Sequence, residues 1–154
     1  MNRIKFGILG CGRIVHRGLI PGILGSSTAD LYALASERPG IASEWAAKHN
    51  VPKAYDSYQA VLDDPEVDAV YIPCTGELHH QWTIAAAQAG KHVLCEKPLA
   101  LNVTESEEMV AACREAGVIL HEAFMCRHHP RSKQARELVR SGAIGRLRQI
   151  VASF

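Results

Sequence analysis

The stretch that decides the fold is Ile4-Lys5-Phe6-Gly7-Ile8-Leu9-Gly10-Cys11-Gly12-Arg13-Ile14-Val15. Ile4 to Leu9 is a nearly continuous apolar run, which reads as a strand buried on both faces, as in a parallel sheet. Gly10-Cys11-Gly12 breaks it, and an apolar-periodic segment over residues 13–24 reads as a helix. Gly10 permits the tight turn, and Gly12 lets the backbone approach a pyrophosphate. The helix N-terminus beyond them offers free N–H groups and a positive dipole end. Val15 stands at the third fingerprint position, where Gly or Ala is usual, so a slightly wider fit of helix on strand is expected. A plain glycine-rich turn is the alternative, and the strand–loop–helix context is what the dinucleotide reading requires.

Outward from this unit, strand-like and helix-like segments alternate. Strands are expected at residues 4–9, 30–35, 53–55, 69–74, 92–95 and 119–123. Helices are expected at 13–24, 42–49, 57–62, 79–89, 104–116 and 131–141. Gly90 and Gly117 sit where a helix ends in a left-handed residue. Thr104 with Glu107 forms a capping box, and Pro130 suits a first helical turn. This order predicts an α/β fold, a Rossmann-type doubly wound parallel sheet. The residues just past the apolar runs then share one edge: Gly10 and Gly12, Ser36, Thr75, and Glu96-Lys97-Pro98. Ligands of open α/β sheets bind outside the carboxyl ends of the strands. Residues 146–154 read as one more strand with no helix after it. A nucleotide-binding domain over 1–125 is therefore expected, with 126–154 as the crossover helix and first strand of a second α+β domain that the chain cuts short.

Lys plus Arg is 17 against 16 Asp plus Glu, so a net charge of +1 leaves no electrostatic footprint for nucleic acid or an anionic membrane. No apolar run approaches the ~20 residues of a membrane span. Met1-Asn2-Arg3 leads straight into a strand, so no signal peptide is expected. The five cysteines are odd in number and form no CxxC pair, which is the usage of a reducing compartment, and a cytoplasmic location is expected. The histidines fall in no metal-ligand spacing, so no metal is expected.

Each polar group past a strand has a chemical reading. Ser36 and Arg38 suit a ribose 2′-phosphate, with a hydroxyl and a bidentate guanidinium. Glu37 cuts the other way, since it suits ribose hydroxyls, so NADP is favoured and NAD stays open. Thr75 is placed to lie along the cofactor. His79 opens a helix on the same edge, with a helix-capping role as its alternative. Lys97 suits a ribose or substrate oxygen, and partial burial would tune it for proton transfer. Pro98 is a candidate cis residue. Arg127 is placed to brace the nicotinamide amide or the substrate, and Phe124 and Met125 read as domain-interface packing.

Together, GILGCGRI (7–14), ASER (35–38), TGELHH (75–80), AGKHVLCEKPLA (89–100) and EAFMCRHHP (122–130) resemble the Gfo/Idh/MocA family of oxidoreductases. The resemblance implies a two-domain NAD(P)-dependent dehydrogenase of sugars, polyols or cyclic diols. It implies that Gly10, Gly12, Arg13 and Ile14 hold the pyrophosphate, and that Ser36 and Arg38 hold the adenosine ribose or its phosphate. Thr75, His79, Glu96 and Lys97 would line the nicotinamide half, with Lys97 next to the reacting carbon. EAFMCRHHP looks most like the NADP-using branch of the family. A second catalytic group and a homo-oligomeric interface would lie in the domain that the chain lacks, so this piece would bind cofactor without turning over. Gly76-Glu77 stands where Pro-Asn is common. Two rivals on the same fold stay open: a non-catalytic NAD(P)-sensing regulator, and a glycoside hydrolase that uses bound NAD.

Overall fold

The computed structural model describes residues 3–152. They fall into two compact units that meet at Ala123 and Phe124, two residues before the expected boundary. In the first unit, six parallel strands form one sheet: β1 (Ile4–Leu9), β2 (Ala29–Ala35), β3 (Lys53–Tyr55), β4 (Ala69–Ile72), β5 (His92–Cys95) and β6 (Leu120–Glu122). Their order is β3-β2-β1-β4-β5-β6. The chain winds outward from β1 to β3, then crosses back to lay β4 on the other side of β1. The loops after β1 and β4 therefore leave in opposite senses, and a crevice opens between them.

Alternation along the strands builds a core on each face. Ile8, Leu34 and Tyr71 join Val15, Ile20, Ile23 and Ala46 beneath α1 (Ile20–Leu24) and α2 (Ile41–His49). Leu9, Ala35, Ile72 and Cys95 join Val61, Ala86 and Met109 beneath α3 (Tyr58–Leu62), α4 (Gly76–Gln88) and α5 (Val103–Glu115). Both faces are covered, which is why the strands read as apolar runs. Lys91 opens β5 at the far edge of the sheet and is buried, where its ammonium donates to the Asp64 and Val67 carbonyls at 2.8 Å each. The first lysine of AGKHVLCEKPLA is thus structural.

Several local expectations are corrected. The helix from residue 13 to 24 is not uniformly α: Val15–Leu19 is a π-helical turn, closed by the Ile20 N–H on the Val15 carbonyl. Pro21 follows at once. A proline here has no N–H for the carbonyl four residues back and its ring crowds that carbonyl, which a wider turn relieves. The capping box belongs to Asn102 and Glu105, not to Thr104 and Glu107. Asn102 Oδ1 accepts from the Glu105 N–H at 2.9 Å, and Glu105 Oε2 accepts from the Leu101 N–H at 3.0 Å. Asn102 is extended (φ −153°), as a cap must be, so the cap sits two residues early and the helix begins at Val103, one residue before the expected start.

The second unit holds a 3-10 turn, Met125–Arg127, and α6 (Pro130–Arg140), with Pro130 in the first turn and His129 as its cap. The strand expected over 146–154 does not form across 146–152, and its last two residues lie outside the described ones. A strand exists only as part of a ladder, and this unit otherwise contains only helical turns. Among the described residues, no helix is long and apolar enough to cross a membrane.

Gly7 sets how closely α3 approaches the sheet. A Cβ there would overlap Val61 Cγ1 and come within 3.3 Å of Val67 Cγ1. Gly7→Ala should cost about 1–3 kcal/mol of stability through overpacking. Adding Val61→Ala should recover part of that loss, with urea-denaturation midpoints as the measurement.

Candidate functional site

The sheet brings the ends of β1, β2, β4 and β5 to one edge. In the glycine loop, Gly10 has φ +130°, and a Cβ there would sit 3.3 Å from Tyr58 Oη and 3.6 Å from Pro73 Cγ. Gly12 differs: nothing lies within 4 Å of the place a Cβ would take, so the backbone is bare on that side. The first turn closes with the Val15 N–H on the Gly12 carbonyl at 3.1 Å. The amides just ahead of it have no acceptor within their own helix, and the positive dipole end favours an anion there. Val15 is fully buried, Ile14 packs beside it and Arg13 is exposed.

At the end of β2, Arg38 reaches back across this loop, and its Nη2 donates to the Cys11 carbonyl at 3.4 Å. The Arg38 N–H donates to Ser36 Oγ at 3.2 Å. Ser36 is 3% exposed, so its hydroxyl oxygen closes its own turn. The O–H remains available as a donor. Glu37 and Arg38 are exposed side by side.

Beyond the crevice, β4 ends at Ile72, since Pro73 has no N–H to continue a ladder. Thr75 is extended and exposed, and it caps α4 without spending its hydroxyl on the cap. The helix starts at Gly76, so His79 lies within its first turn and does not open it. His79 is 1% exposed, with Nδ1 2.9 Å from the Pro98 carbonyl and Nε2 3.0 Å from the Cys74 carbonyl. Both partners are acceptors, and a neutral imidazole carries only one N–H. The ring lies within hydrogen-bond distance of both carbonyls. His79 is therefore an internal brace between the loop after β4 and the loop after β5.

The loop after β5 is held by carboxylates as well. Glu96 is buried, with Oε1 accepting from the Tyr71 hydroxyl at 2.6 Å and Oε2 from the Lys97 N–H at 3.1 Å. Glu122, at the end of β6, accepts the Leu99 N–H at 3.1 Å. The Lys97–Pro98 bond is cis, as the sequence suggested. Lys97 itself is exposed, so the partial burial expected of it is absent. Arg127 belongs to the second unit, where it ends the 3-10 turn and is exposed.

Sequence reasoning missed Tyr71 and Glu122. The signal for Tyr71 was available: it is the one polar-tipped residue in the run Ala69–Ile72, and a buried phenol needs a partner. Glu122 gave none, since its use depends on where the loop after β5 folds.

Burial governs the thiols. It pushes Cys11 and Cys74 up to about 11, and Cys95 up to about 12. Cys126 is exposed. At pH 8, iodoacetamide followed by peptide mass spectrometry should label Cys126 first and leave Cys11, Cys74 and Cys95 largely thiol. Rapid labelling of Cys11 would contradict the closed turn between β1 and β2. For the brace, His79→Ala should lower stability by about 1–3 kcal/mol, because the loops after β4 and β5 lose the imidazole that bridges the Cys74 and Pro98 carbonyls. Faster proteolysis of the loop after β5, over residues 98–102, should accompany it.

Comparison with known proteins agrees with the architecture. Residues 4–124 match the Gfo/Idh/MocA model, described as an oxidoreductase family with an NAD-binding Rossmann fold. The chain is 43% identical over 151 residues to D-xylose 1-dehydrogenase (NADP(+)) 2 of Haloferax volcanii, covering 98% of this chain and 46% of that protein. It is 37% identical over 153 residues to a dTDP-3,4-didehydro-2,6-dideoxy-α-D-glucose 3-reductase of Actinomadura kijaniata, covering 99% and 46%. Among solved structures, the 3-ketoreductase KijD10 of Actinomadura kijaniata in complex with NADP superposes with a TM-score of 0.87 at 36% identity, covering 94% of this chain and 46% of that one. The chain spans about half the length of the curated relatives it matches. With the matched model covering the whole six-stranded sheet, the chain belongs to the Gfo/Idh/MocA oxidoreductase family.

Proposed function

We propose that this chain binds NADP in preference to NAD, as the nucleotide domain of an oxidoreductase acting on a carbinol or keto carbon of a sugar, polyol or cyclic diol. The observation that carries the reading is the exposed Lys97 on a loop whose backbone is fixed on both sides, beside the β1–β4 crevice. A surface lysine does not call for three polar side chains, two of them buried, to hold the backbone around it. A lysine that must meet one oxygen atom does.

The residues fit a dinucleotide. Gly12 leaves its backbone open, and the amides of Arg13 and Ile14 begin a helix there, which suits a pyrophosphate. Arg38 already spans the mouth between β1 and β2, where turning its guanidinium from the Cys11 carbonyl to a 2′-phosphate replaces a neutral acceptor with a charged one. The relative named for NADP, and KijD10 solved with it, support the same choice. Thr75 keeps its hydroxyl free toward the same edge. Arg127 is assigned to the substrate or the nicotinamide amide. His79 and Glu96 serve by holding the loop.

When bound, the nicotinamide supplies the hydride exchange with the substrate carbon. The Lys97 ammonium holds the substrate oxygen and moves its proton, with a second acid or base from outside this chain. Turnover, substrate and any oligomer belong to the longer protein.

Calorimetric titration with NADPH and NADH separately tests the cofactor. NADPH should bind more tightly, and Arg38→Ala should weaken it at least about tenfold, the scale of one lost charge-assisted bond. Tighter NADH binding would assign Glu37 to the ribose hydroxyls instead. In the full-length protein, Lys97→Met should lose turnover and keep NADPH affinity.

A further inference from the structure

We infer that Tyr71 is a positioning residue for Lys97, acting through Glu96. The inference rests on the role proposed for Lys97.

Tyr71 lies in β4, the strand that flanks the crevice, paired with Ile8 of β1 on one side and Leu94 of β5 on the other. It is 3% exposed, and its ring packs in the core beneath α1 and α2. Leu94 and Glu96 share a face of β5 by alternation, so the Glu96 carboxylate arrives above that core. A carboxylate in such a place needs donors. The described bonds give it two: the Tyr71 hydroxyl at 2.6 Å and the Lys97 N–H at 3.1 Å. The first is in the short range of an O–H donating to a charged oxygen. Burial first, and then the neighbouring carboxylate, hold the phenol well above the ordinary tyrosine range, so it stays a donor.

The two carboxylate oxygens therefore form a rigid link. The phenol, fixed in the core, orients one oxygen, and the other fixes the Lys97 amide. On the far side of Lys97, His79 and Glu122 hold Pro98 and Leu99. These two bonds restrain the loop as a whole. Among the described residues, the Tyr71–Glu96 link ends on the Lys97 amide itself, so it sets, together with the Glu96 N–H on the Ile72 carbonyl at 3.0 Å, where the Lys97 side chain starts. Without the hydroxyl, the Glu96 carboxylate has lost its anchor in the core, and the Lys97 amide loses a fixed acceptor. A displacement of about 1 Å at a reacting group costs up to about a hundredfold in rate.

The test uses the full-length protein with NADPH and its carbonyl substrate, and four forms: wild type, Tyr71→Phe, Glu96→Gln and the double variant. Phe keeps the ring and its packing. Tyr71→Phe should lower kcat about tenfold or more. KM for NADPH should stay within about twofold, because the affinity elements lie at the glycine loop and β2. In the Glu96→Gln background one acceptor oxygen becomes an NH2 donor, so the side chain no longer accepts from both the Tyr71 hydroxyl and the Lys97 N–H, and Tyr71→Phe should change kcat little. Equal losses in both backgrounds would make Tyr71 a packing residue and overturn the inference. So would an unchanged kcat in Tyr71→Phe. Thermal melting of all four forms separates loss of fold from loss of rate. Lys97→Met run alongside keeps the two readings apart. If it retains turnover, the role of Lys97 fails. If it abolishes turnover while Tyr71→Phe is silent, only the present inference fails.

Discussion

The pairing of β4 against β1, on the side opposite β2, is the constraint on which the functional edge depends. Parallel strands cannot be joined by a tight turn, so each connection crosses a face and the loops collect at the two ends. Once the chain has wound out to β3 and returned, the loops after β1 and β4 diverge over neighbouring strands. The crevice between them is a consequence of strand order. Gly10 can approach Pro73 and Tyr58 closely only because these segments meet there, and Gly12 faces open space because the loops part. Both properties belong to one three-residue turn.

Polar groups on this edge divide into those that hold the backbone and those left free. Glu96, Glu122 and His79 spend their polar atoms on main-chain groups or on Tyr71. Buried polar groups with every partner in place make a stiff network, since losing one leaves the rest unpaired in a poorly solvating interior. Lys97 and Thr75 are exposed on this frame, with Arg38 exposed at the end of β2. The division explains how a chemical residue on a loop can be placed as accurately as one on a strand. The core beneath α1 and α2 extends its order through Tyr71 to the loop after β5.

Misplaced local expectations share a cause. Thr104-Glu107 and Asn102-Glu105 both have capping-box spacing, and only the path of the chain out of the loop after β5 selects the second, by making Asn102 extended. His79 read as the opening of a helix because Gly76-Glu77 looked like a loop. The helix begins at Gly76, with the extended Thr75 as its cap two residues after Pro73. Pro21 was visible in the middle of a helical pattern, and its answer, a π-helical turn, depends on Val15 and Ile20 both being drawn into the core. The segment 146–152 has strand-like composition without a ladder partner, and composition does not supply one.

Residue type and spacing alone specify the alternation of strands and helices, the parallel sheet and the edge on which the polar residues gather. Those follow from period and punctuation, which are local properties of a chain: apolar runs of strand length, glycines at turns, and crossovers of one hand. Residue type also marks Gly10, Gly12, Arg38 and Lys97, whose chemistry it carries. Which of the marked residues are braces and which are free depends on how the loops pack in the fold. His79 and Glu96 are ordinary polar residues until the loops after β4 and β5 come within hydrogen-bond reach, and Tyr71 and Glu122 have no role until then. Burial creates that difference, because a polar atom removed from water must take a partner from whatever the fold places beside it.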